Sequence, residues 1–160
     1  MAVDMFLKID GIDGGSVAAK YEKWIEVLSF SWGVSNATSS EGGTTAKLSA
    51  RKSEVSDFSI LKVFDSATPK LFEAACHGGR HSQVLFEMRK SGGEQQEFLK
   101  IKLEDVLISG VQSSGNTDLP TESVSFSFAS SLISSFDDRG QATTVSTCGA
   151  ASFNAIVENK

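Results

Sequence analysis

Two histidines stand at a spacing that could support chemistry. His77 and His81 flank a Gly-Gly-Arg sequence, which has the i,i+4 spacing of a histidine metal pair and the His-Gly-Gly order of an esterase oxyanion loop. Two adjacent glycines break the helix that would place both histidines on one face, and a zinc site would need carboxylates or cysteines in support. An esterase also needs a Gly-x-Ser-x-Gly elbow, and residues 110–115 have the wrong spacing. We therefore interpret His77 as part of a helix C-cap turn.

The other chemistry-bearing residues show no catalytic or cofactor-binding pattern. Residues 42–47 hold glycines, threonines and a lysine, but they lack the Gly-Lys-Ser/Thr ending through which a P-loop binds phosphate and magnesium. Cys76 and Cys148 have no motif spacing, so we interpret them as reduced thiols, with a disulfide formed after export as the alternative. The carboxylates fall on different predicted strands and turns. The sequence thus predicts no enzyme, no cofactor and no metal.

Composition narrows the class of protein further. The chain of 160 residues is 40% hydrophobic and 22% charged, which predicts one globular domain over residues 1–160. Its net charge of -5 and scattered basic residues argue against binding to nucleic acid. No apolar run reaches the roughly 18 residues that membrane insertion requires. The N-terminus lacks the pattern of a cleavable signal peptide, so we expect synthesis to end in the cytoplasm.

Alternating apolar residues indicate a mainly β protein. We predict a first strand around Met5, Leu7 and Ile9, and a second over residues 24–32, followed by a hairpin that turns at residues 91–93. Further strands are predicted at residues 106–111 and 124–129, and the segment containing Phe153, Ala155 and Val157 could form a last one. Residues 142–151 are small and polar.

One short helix interrupts this strand pattern. Thr68 is a favourable N-cap, Pro69 a favourable first helical residue, and Gly78 a favourable left-handed residue after the helix end. Between them we expect Leu71 and Phe72 to bury against the sheet. Residues 33–54, by contrast, contain almost no large apolar residue, so we predict a long loop that is either a contact arm or a floppy insertion.

A second regularity concerns serine. In the strand at 24–32, Leu28, Phe30 and Trp32 alternate with serines, and the strand at 124–129 repeats the pattern. Sheet surfaces that face solvent usually carry charged residues and threonine, whereas these serines predict a small, uncharged and low-relief face. Such a face suits a packed protein surface or a smooth channel wall, unless serine fills these positions only because the chain is rich in it. The predicted wall residues are Ser29, Ser31, Ser125 and Ser127.

A series of collinear segments also matches one known family. The segments are Met1–Phe6, Leu28–Val34, Asp57–Ser59, Asp65–Leu71 with its Thr-Pro helix start, Arg89–Lys90 with Gly92-Gly93-Glu94-Gln95, Leu99–Val111, Thr121–Val124, Phe128-Ala129 and Phe153-Asn154. Together they resemble the haemolysin-coregulated protein family, Hcp, of bacterial type VI secretion. The chain departs from the family pattern at residues 36–53 and 141–151.

The resemblance implies a two-sheet β-barrel with one helix on its side, assembling into a hexameric ring with a wide hole. In the family, rings stack into a tube that lies inside a contractile sheath beneath a trimeric spike. The tube is expelled from the cell and carries small effector proteins in its lumen. The resemblance therefore implies that the serine face lines the channel. It also implies that the 33–54 segment reaches a neighbouring subunit or ring, with the contact residues Thr44, Lys47, Arg51 and Lys52.

Two other classes of protein remain alternatives. A phage-type tail tube protein would work by a related mechanism and is separated from Hcp only by the motifs quoted above. A β-sandwich binding module would instead be monomeric, with an exposed groove lined by aromatic residues. The chain has one tyrosine, and both tryptophans lie in or beside a strand with core phase, so that groove is not apparent.

Overall fold

The structure, a computed structural model, describes residues 2–40, 48–92, 95–148 and 156–159. These residues form strands and one helix. In chain order the elements are β1 (Val3–Ile9), β2 (Ile25–Val27), β3 (Ser29–Ser31), β4 (Val34–Ser40), β5 (Leu48–Val55), β6 (Phe58–Val63), α1 (Thr68–His77), β7 (Arg80–Lys90), β8 (Glu97–Ser114), β9 (Thr121–Phe136), β10 (Ala142–Cys148) and β11 (Ile156–Asn159).

The main sheet is antiparallel and nearly closes on itself. Its strands follow the order β11-β10-β9-β8-β7-β1-β2, and β6 pairs with both β9 and β3. The predicted strand at 24–32 is in fact two short strands, β2 and β3, separated by Leu28. The Leu28 N–H donates to the Leu61 carbonyl at 2.7 Å. The first part of this segment, β2, pairs with β1, and the second part, β3, pairs with β6. The predicted β-barrel with one helix is confirmed.

The two longest strands, β8 and β9, pair with each other along most of their length. β8 has 18 residues and β9 has 16. The sequence predicted separate strands within the β8 range. This was wrong because the pairing of this segment with β7 and β9 continues on both sides of Asp105. At Asp105 the backbone takes φ 52°, and the buried residues step from Leu103 to Val106 instead of alternating. This break in alternation brings the opposite face of the strand toward the core.

The core fills the barrel with aliphatic and aromatic side chains. Phe58, Phe86 and Phe126 are fully buried, and the rings of the first two lie 5.2 Å apart. Leu7 and Ile9 on β1 are buried too, as the alternation predicted. The hairpin of β7 and β8 is also confirmed, with Gly92 at φ 84° in its turn.

The helix was predicted at the right place, with two errors. Its N-cap is Ala67 and not Thr68, because the Thr68 hydroxyl is occupied: it accepts from the Asp65 N–H at 3.1 Å and donates to Glu122 at 2.8 Å. Leu71 is fully buried but Phe72 is 57% exposed, since consecutive helical side chains diverge by about 100°. The predicted left-handed Gly78 is confirmed at φ 65°. Among the described residues, no helix is long and apolar enough to cross a membrane.

The segment predicted as a long loop is instead mostly a hairpin. β4 and β5 pair with each other in a separate two-stranded sheet, from Val34 opposite Val55 to Ser40 opposite Leu48. We call this hairpin the arm. Its small polar residues were misleading because β4 and β5 form a sheet of their own, in which strand pairing does not require an apolar face. A strand, β10, likewise occupies most of the small polar segment 142–151, and β11 includes Val157, whereas Phe153 and Ala155 lie outside the described residues.

Candidate assembly surface

The strand register brings the predicted serines together on one outer face of the barrel. Ser31 lies opposite Ser59, which lies opposite Ser125, and Gly110 follows on β8. In a neighbouring row, Ser29 lies opposite Leu61 and Leu61 opposite Ser123. The intervening residues Ile60, Val124 and Phe126 are buried in the core, whereas Phe30 on β3 is 36% exposed. We call this surface the serine face; its members are Ser29, Ser31, Ser59, Leu61, Ser109, Gly110, Ser123, Ser125, Ser127 and, at its edge, Asp57.

Hydrogen bonds hold part of this face in place. The Ser59 and Ser125 hydroxyls lie 3.2 Å apart. The Asp57 carboxylate accepts from Ser109 at 2.7 Å and from Ser127 at 3.0 Å. The serine face as defined carries no lysine, arginine or glutamate. It is therefore a surface of hydroxyls interrupted by the exposed Leu61 side chain, with one carboxylate whose two oxygens each accept from a serine.

Sequence analysis found part of this surface. Ser29 and Ser31 are exposed, and Ser125 and Ser127 are partly exposed, all on the face opposite the core. The contribution of Asp57 and Ser59, which alternate with the buried Phe58 at the start of β6, was not predicted. That alternation was present in the sequence. Lys62 obscured the alternation, because it occupies a buried position of this strand although lysine side chains are usually exposed.

Lys62 belongs to a buried polar network beneath the start of the helix. Its ammonium group contacts the Glu122 carboxylate directly and the Asp65 carboxylate at 2.9 Å. Lys62 and Glu122 are opposite each other on β6 and β9, and both side chains are shielded from solvent. The Thr68 hydroxyl also donates to Glu122. The network contains no activated nucleophile, and its evident role is to attach the helix to the barrel.

A second polar cluster attaches the segment between β1 and β2. The rings of Phe6 and Tyr21 stack at 4.3 Å, and the Arg89 guanidinium lies 5.0 Å from the Tyr21 ring centre. The Tyr21 hydroxyl donates to Glu97 at 3.0 Å. Burial raises the pKa of Tyr21 well above its ordinary value, and the neighbouring carboxylates of Glu87 and Glu97 raise it further. Tyr21 therefore stays a neutral hydrogen-bond donor in the folded protein.

The residues first considered for chemistry are not assembled into a site. His77 is exposed at the helix end, while His81 is partly buried on β7. Within the described ranges, no group of three or more histidines, cysteines and carboxylates could hold a metal ion. Cys76 is an exposed free thiol. Cys148 lies at the end of β10, and its side chain is outside the described part.

The arm meets the barrel at Gly33 and Ser56. The Gly33 carbonyl accepts from the Ser56 N–H at 2.9 Å and from the Ser56 hydroxyl at 3.0 Å, while the Gly33 N–H donates to the same hydroxyl oxygen at 2.9 Å. Of the predicted contact residues, Arg51 and Lys52 lie on β5. Thr44 and Lys47 fall outside the described residues.

Comparisons with known proteins agree on one family. Residues 6–134 match the family described as type VI secretion system effector, Hcp. The chain is 41% identical over 132 residues to protein hcp1 of Pseudomonas aeruginosa, covering 81% of this chain and 80% of that protein. The crystal structure of Hcp1 from Salmonella typhimurium is similar with a TM-score of 0.79 and 31% identity, over 98% of this chain and 100% of that one. A type VI secretion system effector from Yersinia pestis is similar with a TM-score of 0.77 and 30% identity, over 91% and 99% of the two chains.

Proposed function

The chain belongs to the Hcp family and is a tube protein of type VI secretion, and from this premise we propose that its copies close into hexameric rings that stack end to end. The observation that carries the proposal is the serine face. A broad surface of serines, with a single carboxylate held by two of them, gives a monomer in water no packing advantage, whereas a closed ring needs an inner wall with few apolar or charged groups that would hold cargo fast.

In this arrangement the serine face lines the channel. Ser29, Ser31, Ser125 and Ser127 contact cargo, which consists of small effector proteins held in the lumen. Hydroxyl groups offer weak hydrogen bonds that exchange readily with water, so cargo is retained and still released. The aromatic side chains of β3 and β6 support the wall from behind, with Phe30 and Phe58 stacked at 6.0 Å.

The arm provides the contact to a neighbouring subunit or ring. It projects as its own two-stranded sheet, and a hairpin of that size is only marginally stable alone in water. A neighbouring copy that covers it would supply the missing packing. We assign Thr44, Lys47, Arg51 and Lys52 to this contact. Long cationic and short hydroxyl side chains suit a polar interface between subunits or rings that associates and dissociates.

Membership of the family supports a proposal for the remaining partners. Hcp proteins are secreted by the type VI system. We propose that this chain is made in the cytoplasm, joins a tube inside a contractile sheath beneath a trimeric spike, and leaves through that apparatus. It needs neither nucleic acid nor membrane insertion for this role.

Light scattering and negative-stain microscopy of the purified protein test the assembly. We expect about six chains per particle and ring-shaped images with an open centre. Tubes at high concentration would add support for stacking. A strictly monomeric species at tens of micromolar would overturn the ring, and a compact oligomer without a hole would overturn the channel.

A further inference from the structure

We propose that Ser56 is a positioning residue: its hydroxyl, bound to both backbone polar groups of Gly33, sets the direction in which the arm leaves the barrel. The inference rests on the proposed role of the arm in stacking. The proposed role of Ser56 is to fix the direction of the arm before a second ring binds.

The arm is joined to the barrel by two short backbone links. β4 and β5 pair with each other in a sheet of their own, apart from the main sheet. Covalently, the arm is continuous with β3 through Trp32 and Gly33 and with β6 through Ser56 and Asp57. Its direction therefore depends on the few dihedral angles of these residues.

The barrel side of this junction is rigid. Phe58 is fully buried, and its ring meets the ring of Trp32 at 5.9 Å. Trp32 also meets Phe128 at 5.9 Å. Both chain segments thus leave the barrel from an aromatic cluster that fixes their starting points. Freedom of movement begins only at Gly33 and Ser56.

At this point Ser56 makes three hydrogen bonds to Gly33. One is the ordinary ladder bond from the Ser56 N–H to the Gly33 carbonyl. The other two use the side-chain hydroxyl, which accepts from the Gly33 N–H and donates to the Gly33 carbonyl. A single hydrogen bond leaves the two residues free to twist about it, whereas three bonds between the same two residues oppose the twist.

Space beside the junction is open. A groove of about 340 Å³ is bounded by residues 33–35 and 54–56. Val34 at its edge is 64% exposed. A side chain added at Gly33 would meet no atom within 4 Å. Within the described residues, the Ser56 hydroxyl bonds therefore act at a point where the surrounding space would allow the two chain segments to shift.

Tube formation by matched variants tests the proposal. Ser56→Ala removes two of the three hydrogen bonds, and we expect ring-to-ring association to weaken about tenfold, with rings and their melting temperature unchanged. Ser56→Thr keeps the hydroxyl and should stack like the wild type. Gly33→Ala keeps both backbone groups and has room for the methyl group, so it should also stack normally.

A shortened arm separates this proposal from the one on which it rests. In that variant an Asn-Gly turn replaces residues 41–47 between the paired Ser40 and Leu48. If it stacks like the wild type, the arm is not the ring contact and the proposed role of the arm fails. If it no longer stacks while Ser56→Ala stacks normally, the arm is the contact and the positioning role of Ser56 alone is wrong. Loss of stacking in Ser56→Ala without rescue by Ser56→Thr would also overturn that role.

Discussion

The Lys62 ammonium group and the Glu122 carboxylate form an ion pair in the barrel wall with neither side chain exposed to solvent. They lie directly opposite each other on β6 and β9. One oxygen of Glu122 accepts from Lys62 and Thr68, while the other has no hydrogen-bond partner among the described residues. Such a pair contributes little net stability, but it penalises any shift of register that separates the two charges.

The first prediction concerns this pair. Lys62→Met should lower the free energy of unfolding by about 3–5 kcal/mol, because it leaves the Glu122 carboxylate buried without its counter-charge. The double variant Lys62→Met/Glu122→Leu should recover most of that loss, since neither charge remains. Chemical denaturation of both variants gives the comparison. Equal stability of the single and double variants would show that the Glu122 carboxylate carries no penalty when Lys62 is absent.

The helix phase gives a second prediction. Leu71→Ala should destabilise the protein by about 2–5 kcal/mol because it empties a fully buried position. Phe72→Ala should cost much less, since that ring is 57% exposed. Thermal unfolding of the two variants tests the order. A larger loss for Phe72→Ala would mean that the helix is rotated from the orientation described.

Tyr21 provides a pH-dependent signal, because it is the only tyrosine in the chain. Its pKa is raised by burial and by Glu87 and Glu97, so its contribution to stability is complete below about pH 10, the ordinary tyrosine value, and is lost as the pH rises toward the folded value. Absorbance titration should show little tyrosinate at about pH 11 while the protein stays folded. Glu97→Gln should lower the titration midpoint; a midpoint near 10 in the wild type would contradict the network.

The channel assignment is tested at Ser31. Ser31→Gln should leave folding and ring formation intact, because exposed substitutions usually change stability by no more than about 0.5 kcal/mol. Cargo retention should change, since the longer amide narrows and re-patterns the wall. Ser66→Gln, at an exposed serine beside the helix start, is the matched control and should retain cargo normally. Loss of the ring in Ser31→Gln would place this residue in a subunit contact, and unchanged retention would remove it from the cargo surface.

The sequence predicted strands correctly where alternating apolar residues also pack against the core. β1 and the β7–β8 hairpin were predicted because their apolar residues alternate and face one core. The serine face was predicted in part for the same reason. The break at Leu28 was not foreseeable, because its cause is the pairing of the same segment with β1 on one side and β6 on the other.

The arm and the buried charges were missed for a different reason. The arm strands β4 and β5 pair with each other in a sheet apart from the main one, so the core of the main sheet imposes no hydrophobic pattern on them. Lys62 and Glu122 have side chains that are almost always exposed, and their burial becomes favourable only once the two strands lie side by side. Neither feature is encoded locally. Each depends on a partner distant in sequence or, in the proposal for the arm, in another subunit.

The near-closed order of the main sheet has a consequence for folding kinetics. The pairs β7–β8 and β8–β9 join strands that follow each other in the chain, whereas closure through β6 brings Lys62 to Glu122 across 60 residues. Contacts of such long sequence separation form late, because the entropy of loop closure is lost before they can be made. We expect refolding in milliseconds to seconds, with the β7–β8–β9 meander protected from hydrogen exchange first and β3 and β6 last. In the proposed ring, subunits can assemble only after β6 has paired with β9, because the serine face that lines the proposed channel spans this pairing.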